Sequence, residues 1–223
     1  MRFLENIYAE ELLEHGGGIN IKNCSNNGYV HSVGNYSNGG ILGFHRDGAL
    51  NITNCFNETK IGENSAGYSG GIVGQYTGVD YNSDRTLNIY NCYNTGNILG
   101  ENYCGGILGY QGLTAKTITL NVENCYNIGE VEGKYPGGIV GILKDSDSRT
   151  TAKTSIKNTY WLSTVASKAI YSGNCTDEEI ITQYDMEYMK SNDFCDILNN
   201  NIGENTEWKE WILGDDGYPT LEE

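Results

Sequence analysis

Four aspartates, Asp80, Asp84, Asp145 and Asp147, stand in polar stretches that follow two copies of one motif, GGIVG at Gly70 and GGIVG at Gly137. Two carboxylates held across a groove are the machinery of glycoside hydrolysis, one as acid and the other as base or nucleophile. With one layer of chain between them, their backbones would lie about 10 Å apart at roughly 4.8 Å per layer, a workable separation. Nothing in the sequence marks one as acid and another as base, so a polysaccharide-active enzyme is the alternative reading. The three histidines, His15, His31 and His45, have no serine or cysteine at a spacing that would make a triad. The stretch DYNSD places Asp80, Asn82 and Asp84 like the opening of an oxygen-rich calcium loop. Arg85 occupies the place of the sharp-turn glycine and no glutamate closes the loop, which makes a solvated polar loop the simpler reading.

Aromatic residues carry a second kind of chemistry. Phe56, Tyr93, Tyr126 and Tyr160 each follow Cys55, Cys92, Cys125 or Thr159 by one residue, and Tyr68, Tyr103 and Tyr135 each precede a Gly-Gly pair by two. If the cysteines of a strand point inward, the next residues point outward. Evenly spaced rings could stack on sugars or anchor a protein partner, so Tyr68, Tyr93, Tyr103, Tyr126 and Tyr135 are the candidate ligand-binding residues. The bland alternative is rings packing on one another beneath the longer loops.

These residues need an element that repeats. Four units align, 16–49, 50–86, 87–119 and 120–154, with a partial fifth over 155–173. Each opens on an alternating segment (INIKNC, LNITNC, LNIYNC, LNVENC, then SIKNTYW), which reads as a short strand with one apolar face. The four full units then reach GGILG, GGIVG, GGILG and GGIVG. Two or three short strands in about 34 residues, divided by Asn and Gly turns, fit one coil of a β-solenoid rather than a four-stranded propeller blade. Such a coil cannot bury its apolar face alone; stacking on neighbours completes it.

Stacking defines columns of like residues. Asn23, Asn54, Asn91, Asn124 and Asn158 would form an amide ladder at a turn, Cys24, Cys55, Cys92 and Cys125 a second column completed by Thr159, and Ile41, Ile72, Ile107 and Ile139 a third. Parallel stacking puts Cβ atoms near 4.8 Å, beyond the 3.5–4.5 Å of a disulfide, so free thiols are expected. Cys104, Cys175 and Cys195 bring the total to seven, and no CxxC or Cys/His spacing suggests zinc or a redox pair. No cofactor is expected.

The charge is uneven. Residues 174–223 hold fourteen acidic side chains against two basic ones, net −12, while 1–173 carry fifteen against twelve, net −3. Without a basic stripe, nucleic acid and anionic membrane surfaces are poor partners. No stretch has the roughly 20 apolar residues of a spanning helix, and MRFLENIYAEELLEH lacks the uninterrupted apolar core of a secretory signal. An open solenoid needs covered ends. Residues 1–15 read as an amphipathic capping helix through Phe3, Leu4, Ile7, Tyr8 and Leu12. Residues 174–223 read as an acidic C-terminal cap: a helix opened by the Thr176/Glu179 capping box and carrying Ile180, Ile181, Tyr184 and Tyr188, then a second short helix with Phe194, Ile197 and Leu198.

The spacing of NCYN, GxIxG and GGI[LV]G, with a late MKS..F...LN and a closing GYPTL, resembles the GLUG-motif repeats of bacterial surface proteins. The resemblance covers residues 16–173 and the ending. It implies a right-handed parallel β-helix in an exported adhesin or surface protein, sometimes as a module beside a peptidase, although no wall-anchoring or HExxH motif is in the sequence. The expectation is therefore an all-β solenoid of four to five coils with helical caps, monomeric and non-enzymatic, at the cell surface or secreted. Its loops 75–86 and 143–154 and its tyrosines would be displayed to a glycan or a host surface protein. A purely structural stalk is a further alternative.

Overall fold

A computed structural model describes residues 18–31, 37–46, 48–63, 67–78, 80–112, 114–173, 175, 177–178 and 181–222. The expected helix over 1–15 lies outside them, as does the capping pair Thr176/Glu179 with Ile180.

The repeats wind into a parallel β-solenoid of about four turns. The opening strands stack as Ile19–Lys22, Ala49–Thr53, Asp84–Tyr90, Thr117–Asn127 and Thr151–Leu162, with Ile19, Leu50, Leu87, Leu120 and Thr154 in one file. Leu50, Ile52, Leu87, Ile89, Leu120 and Val122 point inward and are buried, while the intervening residues face out, as a period of two requires. Each coil then turns at an asparagine in the left-handed region: Asn23, Asn54, Asn91, Asn124 and Asn158 have φ between 47° and 56°. Asparagine is the non-glycine residue that tolerates this conformation at low cost, which is why NC recurs at each corner.

Beyond the corner come a two-residue strand with Asn26, Asn57, Asn94 and Asn127, a bridge through Val30, Ile61, Ile98 and Val131, and two more stacks. One is Ser37–Gly39, Tyr68–Gly70, Tyr103–Gly105 and Tyr135–Gly137; the other is Leu42–His45, Val73–Tyr76, Leu108–Gln111, Val140–Leu143 and Ile170–Ser172. The GG pair sits where neighbouring coils approach too closely for a Cβ. A Cβ on Gly106 would fall 2.3 Å from the Asn127 amide and 2.2 Å from the Gly138 carbonyl oxygen, so the second glycine is the floor beneath a buried asparagine. Ile72, Ile107 and Ile139 stack behind it, fully buried.

The C-terminal residues depart from the expectation. Residues 177–178 and 181–184 are strands, not helix: Asp177–Glu178 and Ile181–Tyr184 pair in parallel with Thr151–Leu162 and add a final layer. Two helices follow, α1 (Met186–Met189) with Asp185 as N-cap and α2 (Asn192–Ile202) with Ser191 as N-cap, then an antiparallel hairpin of Trp211–Leu213 and Pro219–Leu221. They do not lie across the end of the stack. The segment descends one flank of the solenoid along the asparagine corners, because that flank offers unused amide groups and a row of aromatic rings.

Candidate functional site

The corner asparagines form a rail. Each donates one amide hydrogen to the preceding rung, Asn54 to Asn23 at 3.1 Å, Asn91 to Asn54 at 2.9 Å and Asn124 to Asn91 at 2.7 Å. The second hydrogen of each goes to a carbonyl of the C-terminal segment: Asn54 to Glu207 at 2.9 Å, Asn91 to Lys209 at 2.9 Å and Asn124 to Leu198 at 3.1 Å. Their oxygens accept in return, from the Lys209 amide at Asn54, the Trp211 indole at Asn91 and the Asn201 amide at Asn124. With two donors and two lone pairs apiece, Asn54 and Asn91 are fully used.

This strap decides the fate of two candidate residues. Tyr93 and Tyr126 do stack in one row with Phe56, at ring spacings of 4.7 and 5.3 Å, but Tyr93 is 1% and Tyr126 0% exposed. Trp211 and, at Tyr126, Phe194 pack on them; the Tyr126 hydroxyl donates to the Pro219 carbonyl, and the Tyr93 hydroxyl meets Thr220 at 2.8 Å and donates to Glu58 at 3.1 Å. Burial pushes both phenols above their ordinary range. Neither can meet a ligand in this structure. The expectation that they face outward into solvent is corrected: they point out of the coil, into the returning segment.

Tyr68, Tyr103 and Tyr135 lie on a different face and are half-buried in one register-matched file. The ring centroids are 6.0 and 4.7 Å apart with planes within 14° and 24° of parallel. Tyr110, from the neighbouring stack, leans on Tyr68 at 4.5 Å and Tyr103 at 6.1 Å, and Tyr171 on Tyr135 at 5.2 Å. Burial, then the adjacent Tyr68 and Tyr103 hydroxyls, raise the Tyr110 phenol. Lys134 lies 5.1 Å over the Tyr135 ring and Lys168 5.7 Å over Tyr171. The sequence pattern missed Tyr110 and Tyr171 because they break the file; only the adjacency of the two stacks brings them in. The result is a five-tyrosine surface with two flanking ammonium groups. Within the file the ring faces cover one another, so it presents edges and hydroxyls outward.

The aspartate loops meet at a cation–ring contact. Arg149 lies 4.1 Å over the Tyr81 ring, linking the loops after the second and fourth GG motifs. Asp80 accepts from the Asn82 backbone amide at 2.6 Å and from the Arg85 guanidinium at 3.3 Å, so its carboxylate is engaged by groups of its own loop. Asp147 accepts from the amides of Arg149 and Thr150, both at 2.7 Å, and these bonds hold its carboxyl below the usual range. A general acid needs the opposite shift. Among the described residues no group of three or more His, Cys, Asp and Glu side chains is placed to hold a metal.

Cys55, Cys92 and Cys125 are buried in file while Cys24 is exposed, and no disulfide joins these four. Each sulfur of the file sits under the previous coil, Cys92 accepting from the Cys55 amide and Cys55 from the Cys24 amide, both at 3.4 Å. Two asparagine ladders escaped the sequence reading: Asn26, Asn57, Asn94 and Asn127, buried, with bonds of 2.7, 2.6 and 2.7 Å, and Asn20, Asn51, Asn88 and Asn121 on the outer face, with bonds of 2.9, 2.6 and 2.7 Å.

The fold has a solved counterpart. A structure described as "a putative immunoglobulin A1 protease from Bacteroides ovatus" superposes with a TM-score of 0.56 at 21% identity, over 91% of this chain and 57% of that one. At that identity the likeness is one of fold, and this chain spans little more than half the length of its counterpart. No protein-family model and none of the curated proteins match the sequence. No helix among the described residues is long and apolar enough to cross a membrane.

Proposed function

We propose that this chain is a non-enzymatic repeat module of a bacterial surface or secreted protein, and that it binds a protein partner through the tyrosine face. The observation that carries the reading is the half-buried file Tyr68, Tyr103 and Tyr135 with Tyr110 and Tyr171 against it. Tyrosine supplies rigid, amphipathic contact area with few rotors to freeze, the composition that dominates recognition surfaces. A protein partner is favoured over a glycan by ring orientation: a sugar stacks on an open face, and here the faces are taken by neighbouring rings. Edges and hydroxyls in a row suit backbone groups and side chains. The GLUG-type resemblance supports a bacterial surface setting.

The test is binding of the full chain to a panel of purified extracellular proteins and, separately, to arrayed glycans. Tyr103→Ser is expected to weaken a protein interaction at least tenfold, the loss typical of a central aromatic anchor, while glycan binding and polysaccharide hydrolysis stay at background. Protein binding indifferent to Tyr103→Ser and Tyr135→Ser, or hydrolysis lost on Asp84→Asn, would overturn the reading.

A further inference from the structure

The asparagine rail ends in an unused rung. Asn54 and Asn91 each hold one carbonyl of residues 207–211 and a returning donor, so two residues of strap meet each coil. Asn23 is the same residue in the same left-handed corner, φ 56°, and its oxygen accepts from Asn54. Among the described residues its amide nitrogen donates to nothing, and the side chain is exposed. The strap passes it by, touching the first coil instead through Glu207 and Lys22 at 2.8 Å.

Beside Asn23 lies an open cleft of about 700 Å³ between the first two coils and the closing hairpin. Its lining includes apolar side chains: Phe56 is half-buried, Ile212 is 46% and Leu213 37% exposed. The same lining holds the acids Glu58, Asp215 and Glu222, with Lys209 as its cation. That volume is in the range of sites that hold a ligand, and the chemistry is a continuation of the strap's own binding surface: a corner amide for a backbone carbonyl, flanked by an apolar shelf.

We propose that this cleft binds an extended polypeptide segment carrying alternate apolar and basic side chains. Its backbone would occupy the Asn23 rung as residues 207–211 occupy the next two, its apolar side chains would lie on Phe56, Ile212 and Leu213, and its cations would face Glu58, Asp215 and Glu222. An extended chain points successive side chains to opposite sides, so alternation lets one set meet the apolar residues while the other meets the acids. This site is separate from the tyrosine face, and neither reading depends on the other.

The probe is a fluorescein-labelled peptide of alternating lysine and valine, eight residues long, titrated with the full chain by anisotropy in 0.15 M and 0.5 M salt. Asn23→Gly removes the amide without straining the left-handed corner, and Ile212→Ser removes the shelf from a side chain already in solvent, so both variants should fold. Each is expected to weaken binding about fivefold, the worth of one net hydrogen bond or a partly buried side chain, and the two losses should persist in 0.5 M salt. Tyr135→Ser, on the other face, should bind as the parent does. Absence of binding to 1 mM, or binding that disappears in 0.5 M salt and ignores both variants, overturns the proposal. So does a photo-crosslinker in place of Leu213 that captures a second copy of the chain or its own residues 1–17 instead of the peptide.

Discussion

The Trp211 indole donates to the Asn91 side-chain oxygen at 2.8 Å, across 120 residues of sequence. Asn91 belongs to the third coil and Trp211 to the closing hairpin, so this bond ties a non-repeating segment to the repeat. The tryptophan is 2% exposed and packs at 5.8 Å on Tyr93 and 5.6 Å on Tyr126, which makes it the side chain that closes the strap over the inner aromatic row. Trp211→Phe keeps an apolar ring there but leaves one Asn91 lone pair without a donor. The expected cost is about 1–3 kcal/mol in urea unfolding, with faster hydrogen exchange at residues 207–222 and little change in coils three to five. Exchange that accelerates equally in the strap and the coils would show that the two do not separate.

The three asparagine ladders differ in burial, and that difference should decide their worth. Asn94 is 0% exposed; it accepts from Asn57 at 2.6 Å and donates to Asn127 at 2.7 Å and to the Gly96 carbonyl at 2.8 Å. Asn94→Ala takes one bond from each of three buried polar groups, the Asn57 amide, the Asn127 oxygen and the Gly96 carbonyl, at about 0.5–1.5 kcal/mol per bond. Asn88 makes equivalent ladder bonds on the outer face, where water can replace them. Asn88→Ala should cost under about 1 kcal/mol. Thermal midpoints of the two variants measured side by side provide the check.

Thiol reactivity offers an independent reading of the stack. Cys24 opens the column at the exposed edge, whereas Cys92 and Cys125 lie wholly inside. Burial raises the Cys92 thiol well above its ordinary range, and the neighbouring thiols of the column add to the effect. A maleimide should label Cys24 within minutes at pH 7.5 and reach Cys55, Cys92 and Cys125 only as the chain unfolds, since attack requires an accessible thiolate. Rapid native labelling of Cys92 would contradict a closed column.

What could be read from sequence, and what could not, follows from the kind of information a repeat carries. Periodicity equates Leu50 with Leu87 and Cys55 with Cys92, and the register realises both relations because neighbouring coils impose the same environment on the same position. The corner asparagines were legible for the same reason. The second ladder lies in the same NCYN motif, but an asparagine near a turn satisfies two explanations at once, and only burial distinguishes Asn94 the ladder rung from a loop residue. The helix expected from Thr176 failed at Ile181–Tyr184, where an unpaired edge of Thr151–Leu162 offered a ladder that outweighed helical spacing of apolar residues. The flank chosen by residues 186–222 was not legible at all. A period relates coils to each other and says nothing about the side along which a non-repeating segment returns. Hence Tyr93 and Tyr103, indistinguishable as evenly spaced rings, end in opposite environments.

Buried acids that are neutral in the fold make stability fall in alkali. Burial pushes the Cys104 thiol up to about 12, with a smaller opposing effect from its bond with the Ser69 backbone, and raises the phenols of Tyr76 and Tyr126 above their range as well. In the unfolded chain such thiols ionise near 9.0, the ordinary value for cysteine. Between pH 9 and pH 12 the unfolded state therefore holds fewer protons than the folded state, and the stability contributed by a raised folded pKa, complete below pH 9, is lost as pH rises. The slope is at most about 1.4 kcal/mol per pH unit for each thiol. Urea midpoints should hold steady from pH 7 to 8.5 and fall by pH 10.5. Cys104→Ala removes one of the titrating groups and should fall less steeply than the parent over that interval, although it begins from a lower midpoint because of the small cavity it leaves. Parallel curves for the two proteins would mean that Cys104 ionises in the folded state as readily as in the unfolded one, and that the space behind Tyr68 and Tyr103 is open to water.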